Sequence, residues 1–233
     1  PLGTEDNFAA WQQPTGDWYE GGDAVADPAN PKQLVGKPGT GVMINGKQGK
    51  SPSLVTKRRD YRDVEVHVEF MVAKESNSGV IFHGNHEIQI VDSYGVKQPT
   101  AGDCGGIYPR AEAKPSYHHL DGGSPPRVNA SKPPGEWQTL DIIFQSPRFD
   151  EAGKKTAHAR FVKVVLNDQV IQENVETPYA SGTDWNRKQF PQGPIILQGD
   201  YGPVAFRNAR VRPWKANAQA LNVPPEGFTA LFN

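Results

Sequence analysis

The run Glu87-Ile88-Gln89-Ile90-Val91-Asp92 places two carboxylates and a carboxamide within six residues. On a β-strand, side chains alternate between faces, so Glu87, Gln89 and Val91 share one side and Ile88, Ile90 and Asp92 the other. A β-bulge at 90–91 would bring Asp92 round to join Glu87 and Gln89, because one extra residue reverses the alternation. Two carboxylates would then face one cleft. Cleavage of a glycosidic bond uses such a pair: one group attacks or supports the anomeric carbon and the other protonates the leaving oxygen, about 5–5.5 Å apart in retaining enzymes. The competing reading is that both acids are solvated charges at strand ends.

Whatever positions these acids is built from strands. Val64, Val66, Val68 and Phe70 alternate with Glu65, His67 and Glu69, the period of a strand with one buried and one wet face. Further β-rich runs lie at 80–83, 87–91, 140–144, 159–166, 170–171, 194–198 and 204–211. Asn167-Asp168 reads as a tight hairpin turn between two of them. The 24 glycines and 21 prolines among 233 residues exceed the average usage of about 12% and punctuate the chain with turns. No segment shows a capped 3.6-residue period, so the expected fold is all-β, two antiparallel sheets packed face to face. Two irregular stretches, Ser93–Pro134 and Asn174–Gln192, are long enough to be expected as walls of a binding site.

Composition narrows the partners. With 25 Lys and Arg against 26 Asp and Glu, no global field attracts nucleic acid or anionic lipid. No apolar run approaches the roughly 18 residues of a membrane-spanning helix, and Pro1-Leu2-Gly3-Thr4 lacks the basic-then-apolar pattern of a leader. The single cysteine, Cys104, excludes an intramolecular disulfide and a thiolate zinc cluster and reads as structural. His118-His119 near Asp121 reads as a solvated loop, since adjacent side chains on an extended segment point apart. No cofactor is expected; Asp103 with loop carbonyls is the one candidate calcium position.

The spacing E-x-Q-x-x-D resembles the E-x-D-x-x-E signature of laminarinase- and lichenase-type retaining glucanases, with Gln89 and Asp92 departing from it. A broader match follows. Asn77-Ser78-Gly79-Val80-Ile81-Phe82-His83-Gly84, Glu87 to Asp92, Gly105-Gly106-Ile107-Tyr108, Pro134-Gly135-Glu136-Trp137-Gln138, Val165-Leu166-Asn167, Gly193 to Gln198 and Val204 to Asn208 resemble, in order, the 3-keto-disaccharide hydrolase domain family. The agreement runs over roughly residues 55–213. His83 stands where arginine is expected, Asp200-Tyr201 replaces a His-containing turn, and the 93–134 stretch is longer than usual.

The resemblance implies a concanavalin A-like jelly-roll sandwich that handles sugars on its concave sheet, in a protein exported to the periplasm or outside the cell. It also implies a chemistry that does not need a standard acid pair. A ketone at C3 acidifies the C2 hydrogen, so a base can remove it, the aglycone can leave from C1, and water can add afterwards. On this reading Glu87 is the base, His83 or Gln89 bonds the enolate, and Asp92 assists the leaving group. Tyr108, Gln198, Arg207, Asn77 and Lys57 are the further candidates for holding the saccharide, with Tyr108 a stacking surface and Trp137 a core residue. Gln198 and Arg207 fit equally a structural role between neighbouring strands. The alternatives are a non-catalytic carbohydrate-binding module of a larger protein and an interaction domain.

Residues 1–214 read as one sandwich domain and 215–233 as a linker plus a terminal strand. Glu226 to Asn233 resembles the opening strand of the same family. The expectation is therefore either the start of a second, tandem domain or a strand that packs beside the amino-terminal segment of this molecule or a neighbouring copy.

Overall fold

The computed structural model describes residues 9–12, 16–45, 48–215 and 229–231. In chain order the strands are β1 (Trp18–Asp27), β2 (Asn30–Asn45), β3 (Leu54–Val55), β4 (Val64–Val72), β5 (Asn77–Phe82), β6 (His86–Val91), β7 (Ala111–Glu112), β8 (His118–His119), β9 (Gln138–Gln145), β10 (Arg148–Phe149), β11 (Lys155–Ala157), β12 (Ala159–Leu166), β13 (Gln169–Thr177), β14 (Ile195–Leu197), β15 (Val204–Pro213) and β16 (Thr229–Ala230). No helix occurs among the described residues.

Two sheets make the sandwich, and every ladder in them is antiparallel. The larger runs β1-β2-β15-β4-β9-β12-β13, with β16 pairing β15; the smaller runs β3-β14-β5-β6. Strand alternation decides what lies between them. Val64, Val66, Val68, Phe70, Leu140, Ile142, Phe144, Phe161 and Phe206 point inward from the larger sheet, and Val80, Phe82, Ile88, Ile90, Ile195 and Leu197 from the smaller. Phe82 stacks on Phe144 across the interface with ring centroids 4.5 Å apart, and Phe161 meets Phe82 edge-on at 5.8 Å. Each such side chain contributes on the order of 1.5–3 kcal/mol by leaving water.

The hairpin between β12 and β13 turns at Asn167 (φ 48°) and Asp168 (φ 65°), two residues that tolerate the left-handed backbone a tight turn requires. The hairpin β1–β2 adds a second, smaller apolar cluster: Ala24, Leu34, Val42 and Ile44 pack with Met71, Ala73 and Ala205. β13 continues to Thr177, so the second irregular stretch begins after it rather than at Asn174. At the carboxyl end, Thr229 and Ala230 pair with Val211 and Arg210, and buried Leu231 accepts a hydrogen bond from Trp11 Nε1 at 3.0 Å. The terminal strand thus joins this same sandwich beside the amino-terminal segment; Phe228 and Phe232 lie outside the described residues.

Candidate active site

The outer face of the smaller sheet carries the polar residues left over when Ile88 and Ile90 turn inward. β5 and β6 pair residue for residue from Asn77 opposite Val91 to Phe82 opposite His86. This puts Asn77 and Gly79 on the same outer face as Glu87 and Gln89. Gln198, just after β14, lies alongside, its N–H donating to Gly79 O at 2.9 Å.

A stretch of the 93–134 segment extends this sheet past β6. Gly105 N donates to Gln89 O (2.7 Å), Gln89 N to Gly106 O (2.9 Å) and Tyr108 N to Glu87 O (3.3 Å), which sets Tyr108 opposite Glu87. Two features hold the stretch in place. Gly105 sits at φ 83°, where a Cβ would fall 2.1 Å from Ile171 Cδ1, so only glycine fits. The buried Gln172 donates Nε2 to the carbonyls of Gly105, Ser124 and Pro125 at 3.1, 3.0 and 3.1 Å.

The result is a cavity of about 500 Å³ lined by Asn77, Glu87, Gln89, Tyr108, Tyr117, Gly182, Thr183, Gln198 and Tyr201. The Glu87 carboxyl folds over Gly79, where an added Cβ would lie 2.4 Å from Oε1. In the orientation that satisfies its surroundings, the Gln89 amide donates to Ser78 O (3.0 Å) and to Glu87 Oε1 (3.2 Å) and accepts from Asn77 Nδ2 (3.3 Å). Burial pushes the Glu87 carboxyl up to about 7, and the Asp200 carboxylate adds in the same direction. Burial also holds the Tyr108 phenol well above its ordinary value, reinforced by its hydrogen bond with Tyr117 and by the nearby Glu87. Its hydroxyl lies 2.6 Å from Tyr117 Oη and 3.3 Å from His119 Nε2. Gln198 Oε1 is buried with no hydrogen-bond partner among the described residues. The cavity therefore combines a carboxyl that gains and loses a proton near neutrality with a phenol that keeps its own.

Of the residues singled out from sequence, Glu87, Gln89, Tyr108, Gln198 and Asn77 meet at this cavity, and four do not. The β5–β6 ladder has no bulge, so Asp92 is not brought round to Glu87; its Oδ2 accepts from Glu75 N at 2.9 Å and caps the left-handed turn before β5. His83 follows β5 with its ring buried edge-on against Phe144, centroids 5.2 Å apart. Burial lowers it to about 4, which leaves it neutral and away from the cavity. Arg207 lies on the opposite sheet, 2.7 Å from Glu69 and 4.0 Å above the Trp137 ring. Lys57 stands beside the amino-terminal segment, where its N–H bonds Ala10 O at 2.9 Å.

The remaining candidates also find places. Asp103 accepts from Thr100 N (2.7 Å) and Oγ1 (2.9 Å), a turn-capping role. Cys104 is buried and its thiol is pushed up to about 11, which keeps it unreactive. Asp121 pairs with Arg110 at 2.7 Å, while His119 turns toward Tyr108. Sequence reasoning passed over Tyr117, Tyr201, Thr183 and Gln172. For Tyr117, Thr183 and Gln172 the one signal was position within, or pairing against, the two irregular stretches; for Tyr201 it was the Asp200-Tyr201 turn that departs from the family pattern.

Fold and site together define a two-sheet β-sandwich with a titratable carboxyl and a phenol facing one polar cavity on the smaller sheet. Residues 3–212 match the 3-keto-alpha-glucoside-1,2-lyase-like domain, and the chain belongs to that family. A solved structure of a protein from Parabacteroides distasonis ATCC 8503, designated a glycosyl hydrolase, superposes with a TM-score of 0.57 at 25% identity, covering 92% of this chain and 100% of that one. Two more from the same organism, with the same designation, give 0.52 at 21% identity (85% and 100% covered) and 0.56 at 14% (90% and 91% covered). No match is found among curated proteins. The chain is a glycoside hydrolase- or lyase-like carbohydrate-active protein.

Proposed function

We propose that this protein cleaves 3-keto-glycosides by elimination and hydration, with Glu87 as the base. The observation that carries the reading is that Glu87 is the one carboxyl lining the cavity among the described residues, held near 7 by burial and faced by the protonated Tyr108. Direct displacement at C1 uses two carboxyl groups flanking the bond. Elimination needs one base.

In the proposed sequence the Glu87 carboxylate takes the C2 proton, and the C–H electron pair moves toward the C3 carbonyl to give an enolate. When the enolate collapses, C3=O re-forms, a C1=C2 double bond appears and the C1–O bond breaks; the departing oxygen takes its proton from Tyr108. Water then adds across C1=C2: its hydroxyl goes to C1 as the Tyr108 phenolate takes back a proton from it, and Glu87, after exchange with solvent, gives a proton to C2, leaving a 3-keto sugar, an alcohol and both side chains restored. Gln89 holds the Glu87 carboxyl through its amide, and Asn77 Nδ2, which gives one hydrogen to Gln89 and keeps a second, suits the enolate oxygen. The partnerless Gln198 Oε1 suits a sugar hydroxyl. The resemblance to exported relatives adds the proposal that this happens in the periplasm or outside the cell.

The test is incubation with paired glucosides and 3-keto-glucosides of the same aglycone, read by chromatography and product mass. Release from the keto forms alone supports the reading. Equal release from the unoxidised glucosides would sink it.

A further inference from the structure

The proposed chemistry makes one demand that Tyr108 cannot meet alone. A phenol hydroxyl has a single hydrogen to give and two lone pairs to offer, and once the hydrogen has gone to the departing oxygen, the phenolate left behind must be held. Two polar groups reach that oxygen from one short hairpin. Tyr117 Oη lies 2.6 Å from Tyr108 Oη, and His119 Nε2 lies 3.3 Å from it.

The hairpin explains why both arrive. β7 and β8 pair Ala111 with His119 and Glu112 with His118, and residues 117 and 119, two apart on extended backbone, share a side. His118 falls on the other side, where its Nδ1 donates to Ser116 O at 2.9 Å. The base of the hairpin is pinned: Leu120 N donates to Arg110 O at 2.8 Å and Ala111 N to Gly182 O at 3.0 Å. The His119 ring stands edge-on to both phenol rings, its centroid 5.4 Å from that of Tyr108 and 5.7 Å from that of Tyr117. At rest, giving the Tyr108 hydrogen to Tyr117 helps to hold the phenol above its ordinary value. With a glycosidic oxygen in front of Tyr108, that hydrogen turns to the substrate, and the Tyr117 O–H and His119 Nε2–H become donors to the two lone pairs. Catalytic hydrogen bonds that are long without substrate commonly tighten when it binds.

We propose that Tyr117 and His119 are positioning residues for Tyr108: they aim its hydrogen at the departing oxygen and hold the phenolate by two donated hydrogen bonds until water returns the proton. This role rests on the elimination reading and deepens it. The β7–β8 hairpin serves the breaking of the C1–O bond, whereas Glu87 serves the removal of the C2 proton.

Two 3-keto-glucosides separate these steps, one releasing nitrophenol and one methanol. Nitrophenol is acidic enough to leave as its anion; methanol must take a proton as it leaves. When the leaving step alone is slowed, the enolate returns to substrate, and in deuterium oxide the recovered substrate carries deuterium at C2. Tyr117→Phe and His119→Phe keep the rings and remove the O–H and N–H. On the methyl ketone both are expected to raise the ratio of C2 exchange in recovered substrate to alcohol release by roughly tenfold or more, and on the nitrophenyl ketone by less than about twofold. The ratio does not depend on how much of the protein is folded. His119→Gln, which puts back an N–H, is expected to return it to within about threefold of the unaltered protein. A ratio unmoved on the methyl ketone, or raised equally on both, overturns the positioning role and leaves the elimination reading standing. A His119→Gln variant no better than His119→Phe does the same for His119. If the unaltered protein releases neither alcohol, the elimination reading has failed and the positioning role with it.

Discussion

Two outward faces of the same sandwich treat glutamate in opposite ways. On the larger sheet, burial alone would raise the Glu69 carboxyl, but hydrogen bonds from Asn208 (2.6 Å) and Arg207 (2.7 Å) outweigh it and hold the group below its ordinary value. Glu65 pairs with Arg212 at 2.7 Å and His67 with Asp141 at 2.7 Å, so the central charges of that face are mutually satisfied. On the smaller sheet Glu87 has no cation beside it among the described residues; amides, phenols and the Asp200 carboxylate surround it, and burial prevails. The same residue type at the same kind of strand position is thus a permanent anion on one side and a proton acceptor poised near neutrality on the other. What distinguishes a structural acid from a reactive one here is its neighbours, not its place in the strand pattern.

The contrast breaks most sharply at Glu87. Glu87→Gln keeps the shape and removes the base, so kcat is expected to fall by about 10²–10⁴-fold while substrate affinity, measured by calorimetry, stays within a fewfold. Gly79→Ala comes next. Its methyl group would press on the carboxyl oxygen, and displacing a reacting group by about 1 Å costs on the order of 10²-fold in kcat/KM, measurable without a large change in melting temperature.

Stability should respond with opposite signs on the two faces. The folded Glu87 carboxyl titrates near 7, against 4.5 when unperturbed, so its stabilising effect is complete below about 4.5 and is lost as pH rises through 7. Glu87→Gln is therefore expected to be the more stable protein at pH 8, by about 2–3 kcal/mol in denaturant unfolding, with the difference vanishing near pH 4. Glu69 is lowered, so its contribution is present above its unfolded value and is lost as pH falls. Glu69→Gln should destabilise by about 1 kcal/mol at pH 7 and by less in acid. Smallest of all, Arg207→Ala should lower the melting temperature by about 2–4 °C and leave kcat/KM unchanged, as befits a residue stacked on Trp137 across the sandwich from the cavity.

How much of this could be read from the chain follows from what is local. The 64–70 alternation, the Asn167-Asp168 turn and the shared face of Glu87 and Gln89 are properties of neighbouring residues, and each stands in the structure as the strand period requires. β1 and β2 were not legible. Gly36, Pro38, Gly39 and Gly41 interrupt any period in β2, and the hairpin is held by pairing with β15 and by a cluster assembled from distant strands. The bulge expected at 90–91 is absent because β6 pairs continuously with β5, and Asp92 lost its place with it. Arg207 and Gln198 looked alike as polar residues in β-rich runs. Only the packing of the two sheets sends one to Glu69 and the other to the cavity. Tyr117 reaches the site through a fold of the 93–134 segment that no periodicity announces, anchored by Gln172 from another strand.

The account stands or falls on whether Glu87 removes a proton from C2, and a 3-keto-glucoside carrying deuterium at C2 tests this directly. The expected result is a primary isotope effect on kcat/KM, exchange of the label into water during turnover, and both turnover and exchange slowed by about 10²–10⁴-fold with Glu87→Gln. Release of the alcohol at an unaltered rate, with the deuterium retained at C2 of the product, would contradict it.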